Sequence, residues 1–306
     1  MAGAVVDDGD DSPADDSGAL RGVLAGVLAR EEAAAAGAGD SRRADALICA
    51  RALVAENSGD QAGARALWRN AFDRDPTLLV AFVGLRRALN RRAAWDELLV
   101  AVERRMAAVV SPDSLDSPDL ASVGDAVSLP RAELWLEHGR LLEDRLGRDD
   151  DAARSYRAGL LEAADHPGLL TSLLLLGLRR GDGAATAEAL SGLLRRPLPL
   201  PLRASLSAFL ARIERSVAAG PPQTPSLSSG GAAGAPHSLD PAAAQRALQT
   251  LRDALSVVGP QNAAPLVAEL CVLARAAREP ATRVQILDQL VTHLPRLPEA
   301  TAGGGS

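Results

Sequence analysis

The chain contains no lysine: all 33 of its Lys and Arg residues are arginine. A P-loop needs a lysine against the nucleotide phosphates. Schiff-base and pyridoxal-phosphate enzymes need a lysine amine, and protein kinases need a strand lysine on ATP. Those classes are excluded. Aromatic residues make up only 2% of the 306 residues. Val, Ile and Thr are also thin, so the side chains that pack a β-sheet are scarce. Cysteine is almost absent. Cys49 and Cys271 lie far apart in apolar helical stretches, with no disulfide framework and no CxxC pair. The four histidines are scattered, with no HExxH and no cysteine at ligand spacing, so no metal site is expected. No long apolar run exists either. The longest, Leu169 to Leu178, is too short to span a bilayer. The N-terminus is acidic where a secretory signal would be positive. A cytoplasmic protein with no cofactor and no membrane partner is the expectation.

What is present is alanine and leucine, which dominate an apolar fraction of 47%. Both are strong helix formers because they lose little side-chain freedom in a helix, so an all-α chain follows. The formal net charge is −6, and six aspartates fall within the first eighteen residues: Asp7, Asp8, Asp10, Asp11, Asp15 and Asp16. Setting these six aside leaves 33 acids against 33 bases. No global basic field remains to attract nucleic acid. Residues 1–18 read as a disordered acidic tail.

Helical periodicity begins at residues 19–36, where Leu20, Val23, Leu24, Val27 and Leu28 form one face. Gly22 and Gly26 sit off that stripe, either to allow close helix contact or simply weakening the helix. Helix pairs follow at 44–58 and 60–73, 77–90 and 94–109, 131–146 and 149–164, and 167–180 and 183–195. Gly59-Asp60, Gly147 and Gly181-Asp182 make turns, and Asp75-Pro76 closes the first pair. Pro197, Pro199 and Pro201 make a restrained connection. A helix at 202–218 precedes a Gly/Pro/Ser-rich linker at 219–239. Asp240-Pro241 restarts a helix as N-cap and first helical residue. A last pair covers 262–278 and 280–293, and residues 296–306 form a flexible end.

Short helices alternating with short turns at a period near 34 mark a helical solenoid. Residues 45–78 resemble a tetratricopeptide repeat (TPR). Ala52 is the small residue midway along the first helix, Gly59-Asp60 the turn, Ala64, Trp68 and Ala71 the small–aromatic–small stripe of the second helix, and Pro76 the close. Trp135, Gly139, Gly147, Ala152, Tyr156 and Gly159 repeat the pattern with one extra residue in the first helix. In 79–110, Leu98 and Arg105 stand where small residues belong, and Gly-Asp is missing. The resemblance implies an all-α solenoid of αα-hairpin repeats, a TPR-like right-handed superhelix. Two long loops, at 111–130 and 219–239, interrupt it. The repeats would occupy 19–218, with a C-terminal set at 240–295. Trp68, Trp95, Trp135 and Tyr156 read as core.

No catalytic constellation emerges. His237, Ser238 and Asp240 are close in sequence, but they sit in the linker, and Asp240 is better explained as a cap. The glycine-rich run at 230–234 follows no strand. In the resembled family, the first helices of successive repeats line a concave surface that holds a peptide. By register that surface includes Leu53, Glu56 and Asn57, then Arg87, Asn90 and Arg91, then Arg140, Glu143 and Asp144. Arginine grips carboxylates in a bidentate fork, and asparagine bonds extended backbone. Arg87, Asn90, Arg91 and Arg140 are therefore expected to meet an acidic segment or C-terminus of a partner. The function implied is a non-catalytic protein-interaction scaffold or adaptor. The alternatives are a regulatory arm of a larger assembly, or an enzyme whose site leaves no motif.

Overall fold

A computed structural model describes residues 14–109, 131–217, 240–277 and 279–293. Among them are thirteen α-helices and no strand. The expected loops at 111–130 and 219–239, the final residues from 294 and the first thirteen residues lie outside the described set. The chain divides into two compact units, Met1–Arg148 and Asp149–Ser306. This division falls inside the expected 19–218 body, at the turn after Gly147.

Unit 1 holds α1 (Ala14–Gly37), α2 (Ser41–Asn57), α3 (Gln61–Arg74), α4 (Leu79–Arg91), α5 (Trp95–Ala108) and α6 (Arg131–Arg140). Each helix packs against the next. The short turns make neighbours antiparallel. The turn chemistry is uniform. At Gly39, Gly59 and Gly181 the backbone is left-handed, with φ of 76°, 86° and 67°. Glycine reaches that region without steric cost. The aspartate that follows caps the next helix: Asp40 accepts from Arg43 N at 3.1 Å, Asp60 from Gly63 N at 2.8 Å and Asp182 from Ala185 N at 3.0 Å. The α4–α5 turn has the same shape without the chemistry. Ala93 takes φ 53°, and Ala94 caps α5 with no side-chain hydrogen bond.

The small–aromatic–small stripe of α3 is buried as expected, with Trp68 1% exposed. A Cβ on Gly84 of α4 would stand 2.3 Å from the Trp68 ring, so glycine is what lets α4 approach. Arg105 is a departure. It occupies a position where a small residue is expected, yet it is 1% exposed. Its guanidinium donates to the carbonyls of Pro76 and Thr77 at 3.1 and 3.2 Å and lies 5.0 Å from the Phe82 ring centroid. Burial lowers the Arg105 pKa and the charge of Asp75 opposes that. Elsewhere other arginines end helices in this way. Arg131 donates to Met106 O and Val109 O at 2.7 and 2.9 Å, and Arg203 to Leu194 O and Arg196 O at 2.9 and 2.8 Å. Arg105 and Arg131 meet both carbonyls with Nη1 alone, whereas Arg203 uses Nη1 and Nη2, the planar fork that a lysine ammonium lacks.

After α6 the helix widens into a π turn, Leu141–Arg145. Leu146 N reaches Leu141 O at 3.1 Å, five residues back. This is where the extra residue in the sequence pattern goes: a single insertion absorbed as one wide turn.

The α1 stripe departs from the expectation of a packed face. Leu20, Val23, Leu24 and Val27 are exposed, and among the described side chains of the helix Ala35 alone is fully buried. Helix α1 opens the stack: among the described residues α2 is the helix packed against it, so the face turned away from α2 stays open. The seven residues by which the 24 of α1 exceed the 17 of α2 overhang its end. Helix α1 also begins at Ala14, inside the expected tail.

Unit 2 holds α7 (Asp149–Glu162), α8 (Pro167–Arg180), α9 (Gly183–Arg195), α10 (Leu200–Val217), α11 (Pro241–Val257), a 3-10 turn at Pro260–Asn262, α12 (Ala264–Ala276) and α13 (Pro280–His293). The N-cap read from sequence at Asp240 accepts from Ala242 N at 3.2 Å, and at the start of α8 His166 Nδ1 accepts from Leu169 N at 3.3 Å. Ala204, Ala208 and Ala211 of α10 bury against Leu248 and Leu251 of α11 and Leu266 and Leu270 of α12. This core joins 149–217 to 240–293 in one unit. Glu269 on α12, with a side chain 4% exposed, is held by Arg215 at 2.6 Å and Arg212 at 3.3 Å. The pairing fixes how α12 registers on α10.

Candidate partner-binding cleft

The first helices of unit 1, α2, α4 and α6, form one rank, and ion pairs join its members. Glu56 of α2, its side chain 10% exposed, receives both Arg87 and Arg91 of α4. Arg87 Nε donates to Glu56 Oε1 at 3.3 Å, and its Nη2 donates to Oε2. Burial works to raise the Glu56 pKa, but hydrogen bonds and charge from the two arginines outweigh it and hold the carboxyl below the ordinary glutamate range. The carboxylate that Arg87 and Arg91 grip thus belongs to the chain itself.

Arg86 of α4 meets Glu137 of α6 at 3.1 Å. That pair spans an open cleft of about 380 Å³ between α4 and the α6–π segment. Its lining includes Asn90 on one side and Arg140, Asp144 and Arg145 on the other. Spacing explains this: Arg86 and Asn90 lie one turn apart on α4, and Glu137 and Arg140 one turn apart on α6. Arg145 also lies over the Trp95 ring at 4.7 Å. Arg86 and Glu137 neutralise each other. Arg140, Asp144 and the Asn90 amide make no hydrogen bond or ion pair among the described residues, so they are the groups left to meet something else.

Of the residues singled out from sequence, Asn90 and Arg140 share this cleft. Arg87 and Arg91 are engaged with Glu56. Asn57 is exposed at the end of α2, and Glu143 is half-buried outside the cleft lining. The sequence reading missed Arg86, Glu137 and Arg145. The extra residue before Gly147 was the signal for Arg145, because it places the π turn here. Trp95 and Trp135, expected in the core, are half-buried at the rim of helices α5 and α6. The Trp135 ring meets His138 edge-on at 5.9 Å.

Other chemistry is sparse among the described residues. No group of three or more His, Cys, Asp or Glu is placed to hold a metal. No described helix is long and apolar enough to cross a membrane. Cys49 is a free thiol, and burial, then the charge of Asp45, pushes its pKa up to about 11. It stays protonated at neutral pH and is no nucleophile.

No protein-family model matches the chain, and no curated protein matches it in sequence. Solved structures that resemble it include the crystal structure of the APC/C hetero-tetramer Cut9–Hcn1, at 12% identity and a TM-score of 0.33, over 82% of this chain and 43% of that one. Another is the human IFIT1 dimer with m7Gppp-AAAA, at 11% identity and a TM-score of 0.28, over 88% of this chain and 56% of that one. The chain spans about half the length of either. Likeness at this level is weak, and the helix pairs and turns themselves carry the fold.

Proposed function

We propose that the protein is a non-catalytic adaptor that holds an extended, acidic segment of a partner protein in the α4–α6 cleft. The observation that carries the reading is that Arg140 and Asn90 line one cleft, neither side chain hydrogen-bonded or ion-paired among the described residues. Arg140 would take a side-chain or terminal carboxylate in a bidentate fork, and Asn90 would bond the adjacent peptide backbone, donating from its amide and accepting at its oxygen. The resemblance to tetratricopeptide repeats points to the same rank of first helices. The balanced charge outside the acidic N-terminal segment favours a protein partner over nucleic acid, and the free thiols suit the reducing cytoplasm.

Affinity purification with crosslinking mass spectrometry on the full chain tests this. Crosslinks from α4 and α6 to one partner are expected, with recovery lost for Arg140→Glu and retained for Arg87→Gln. Equal recovery with Arg140→Glu, or crosslinks confined to other helices, would overturn it.

A further inference from the structure

The second helices carry grooves of their own, and two of them can be compared. In unit 1, between α3 and α5, Arg69 meets Glu97 and Arg104 meets Asp73. These two ion pairs cross a groove floored by Phe72 and Leu85. In unit 2, between α7 and α9, the register fixed by Ala152, Tyr156 and Gly159 puts Arg157, Leu160 and Leu161 where α3 has Arg69, Phe72 and Asp73. On α9, Glu188 and Arg195 repeat the seven-residue spacing of Glu97 and Arg104, one turn further along the helix. The first ion pair is retained, with Arg157 and Glu188 at 2.9 Å. The second is not. Asp73 is exchanged for Leu161.

This exchange has two effects at one place. Leu161 is 90% exposed, the most exposed of the large apolar side chains among the described residues. Arg195, deprived of the partner that Arg104 has, makes no hydrogen bond or ion pair among the described residues. Between them lies a cleft of about 410 Å³ against Leu160 and Leu170. Leu170 reaches this position because Gly192 is bare: a Cβ there would stand 2.3 Å from the Leu170 Cδ2. The groove is thus apolar along its floor, neutral at the Arg157–Glu188 end and singly positive at the Arg195 end.

We propose that the α7–α9 groove is a second docking site, for an amphipathic acidic helix of a partner protein. An apolar side chain of that helix lies on Leu160 and Leu161, and a carboxylate one turn along pairs with Arg195. Charge complementarity selects the occupant, since Arg195 is the groove's uncompensated charge. The site lies on other helices than the α4–α6 cleft and in the other unit.

The test uses the full chain and a fluorescein-labelled helical peptide that presents leucine and glutamate four residues apart. A second peptide has glutamine for the glutamate, and a third has arginine. Leu161→Asp places a carboxylate in the cleft that Arg195 also lines and changes a side chain that is 90% exposed, so it is expected to fold as wild type by circular dichroism. Fluorescence anisotropy should show the glutamate peptide binding wild type at least tenfold more tightly than it binds Leu161→Asp, and tenfold more tightly than the glutamine peptide binds wild type. Arg195→Glu should lose the glutamate peptide and gain the arginine peptide, while Arg140→Glu should leave all three unchanged. Absence of binding by the glutamate peptide, equal binding of the glutamate and glutamine peptides, or undiminished binding to Leu161→Asp overturns the proposal. So does a dimer in sedimentation that Leu161→Asp dissolves, because a second copy would then be the occupant.

Discussion

The α4–α5 turn offers a quantitative test of how this chain builds its hairpins. At Gly59 and Asp60 the turn is closed by Gly59 N to Glu56 O at 3.1 Å and Asp60 N to Ala55 O at 2.9 Å. At Ala93 and Ala94 the same two bonds recur, Ala93 N to Asn90 O and Ala94 N to Leu89 O, each at 3.1 Å. The geometry is shared, so only the side chains differ. A left-handed alanine costs about 1–2 kcal/mol. Glycine there relieves that cost but gives back about 0.4–1 kcal/mol through the freer unfolded chain, a net gain of about 0.5–1 kcal/mol. Ala94→Asp supplies the missing cap, worth about 1 kcal/mol, against Glu97 in the third helical position. The double variant Ala93→Gly/Ala94→Asp should therefore gain about 1.5–2 kcal/mol, and its melting temperature should rise by about 4–7 °C. All three tryptophans, Trp68, Trp95 and Trp135, lie in unit 1. Urea unfolding followed by tryptophan fluorescence thus reads the right unit. An unchanged or lower midpoint for Ala93→Gly would refute the reasoning. Gly59→Ala should move the midpoint the other way.

Two further outcomes concern packing and charge. Gly22 and Gly26 face open space in α1, with no atom within 4 Å of an added Cβ. Gly22→Ala and Gly26→Ala should each add about 0.5–1 kcal/mol of helix stability, seen as higher helicity by circular dichroism, and a loss would point to a packed partner on that face. Burial raises the Glu214 pKa, against the Thr250 hydrogen bond and the charge of Arg246. With the folded value above the unfolded one, the group's contribution is full below the ordinary glutamate value of about 4.3 and is lost as pH rises through the raised value. Glu214→Gln should therefore raise the melting temperature at pH 7 and not at pH 4, and destabilisation at pH 7 would contradict the sign.

Sequence periodicity located nearly every described helix to within a few residues, because Gly-Asp turns, Asp-Pro closures and alanine stripes are local signals. The π turn was legible only as a surplus residue before Gly147, since spacing records an insertion but not how the backbone absorbs it. Arg105 was visible as a misfit at a small-residue position. That its guanidinium would end another turn depends on Pro76 and Thr77, which are distant in sequence. For the same reason, the first-helix register named Glu56, Arg87 and Arg91, which the structure joins in ion pairs. It was silent on whether the arginines face outward or close on Glu56. The exposure of the α1 stripe depended on how many neighbours pack against it, which no pattern within α1 contains.

The ion pairs of unit 1 have a mechanical consequence. Glu56 ties α2 to α4, and Glu137 ties α6 to Arg86 of α4. On the other rank, Arg69–Glu97 and Arg104–Asp73 tie α3 to α5. Flexing that opens one rank must stretch the bonds across it, and flexing in the reverse sense stretches those across the other. These ties resist bending of unit 1 in either direction, and in the proposed binding they would reduce the ordering entropy lost by the host. Salt, by screening these exposed braces, would soften the unit as well as weaken the binding.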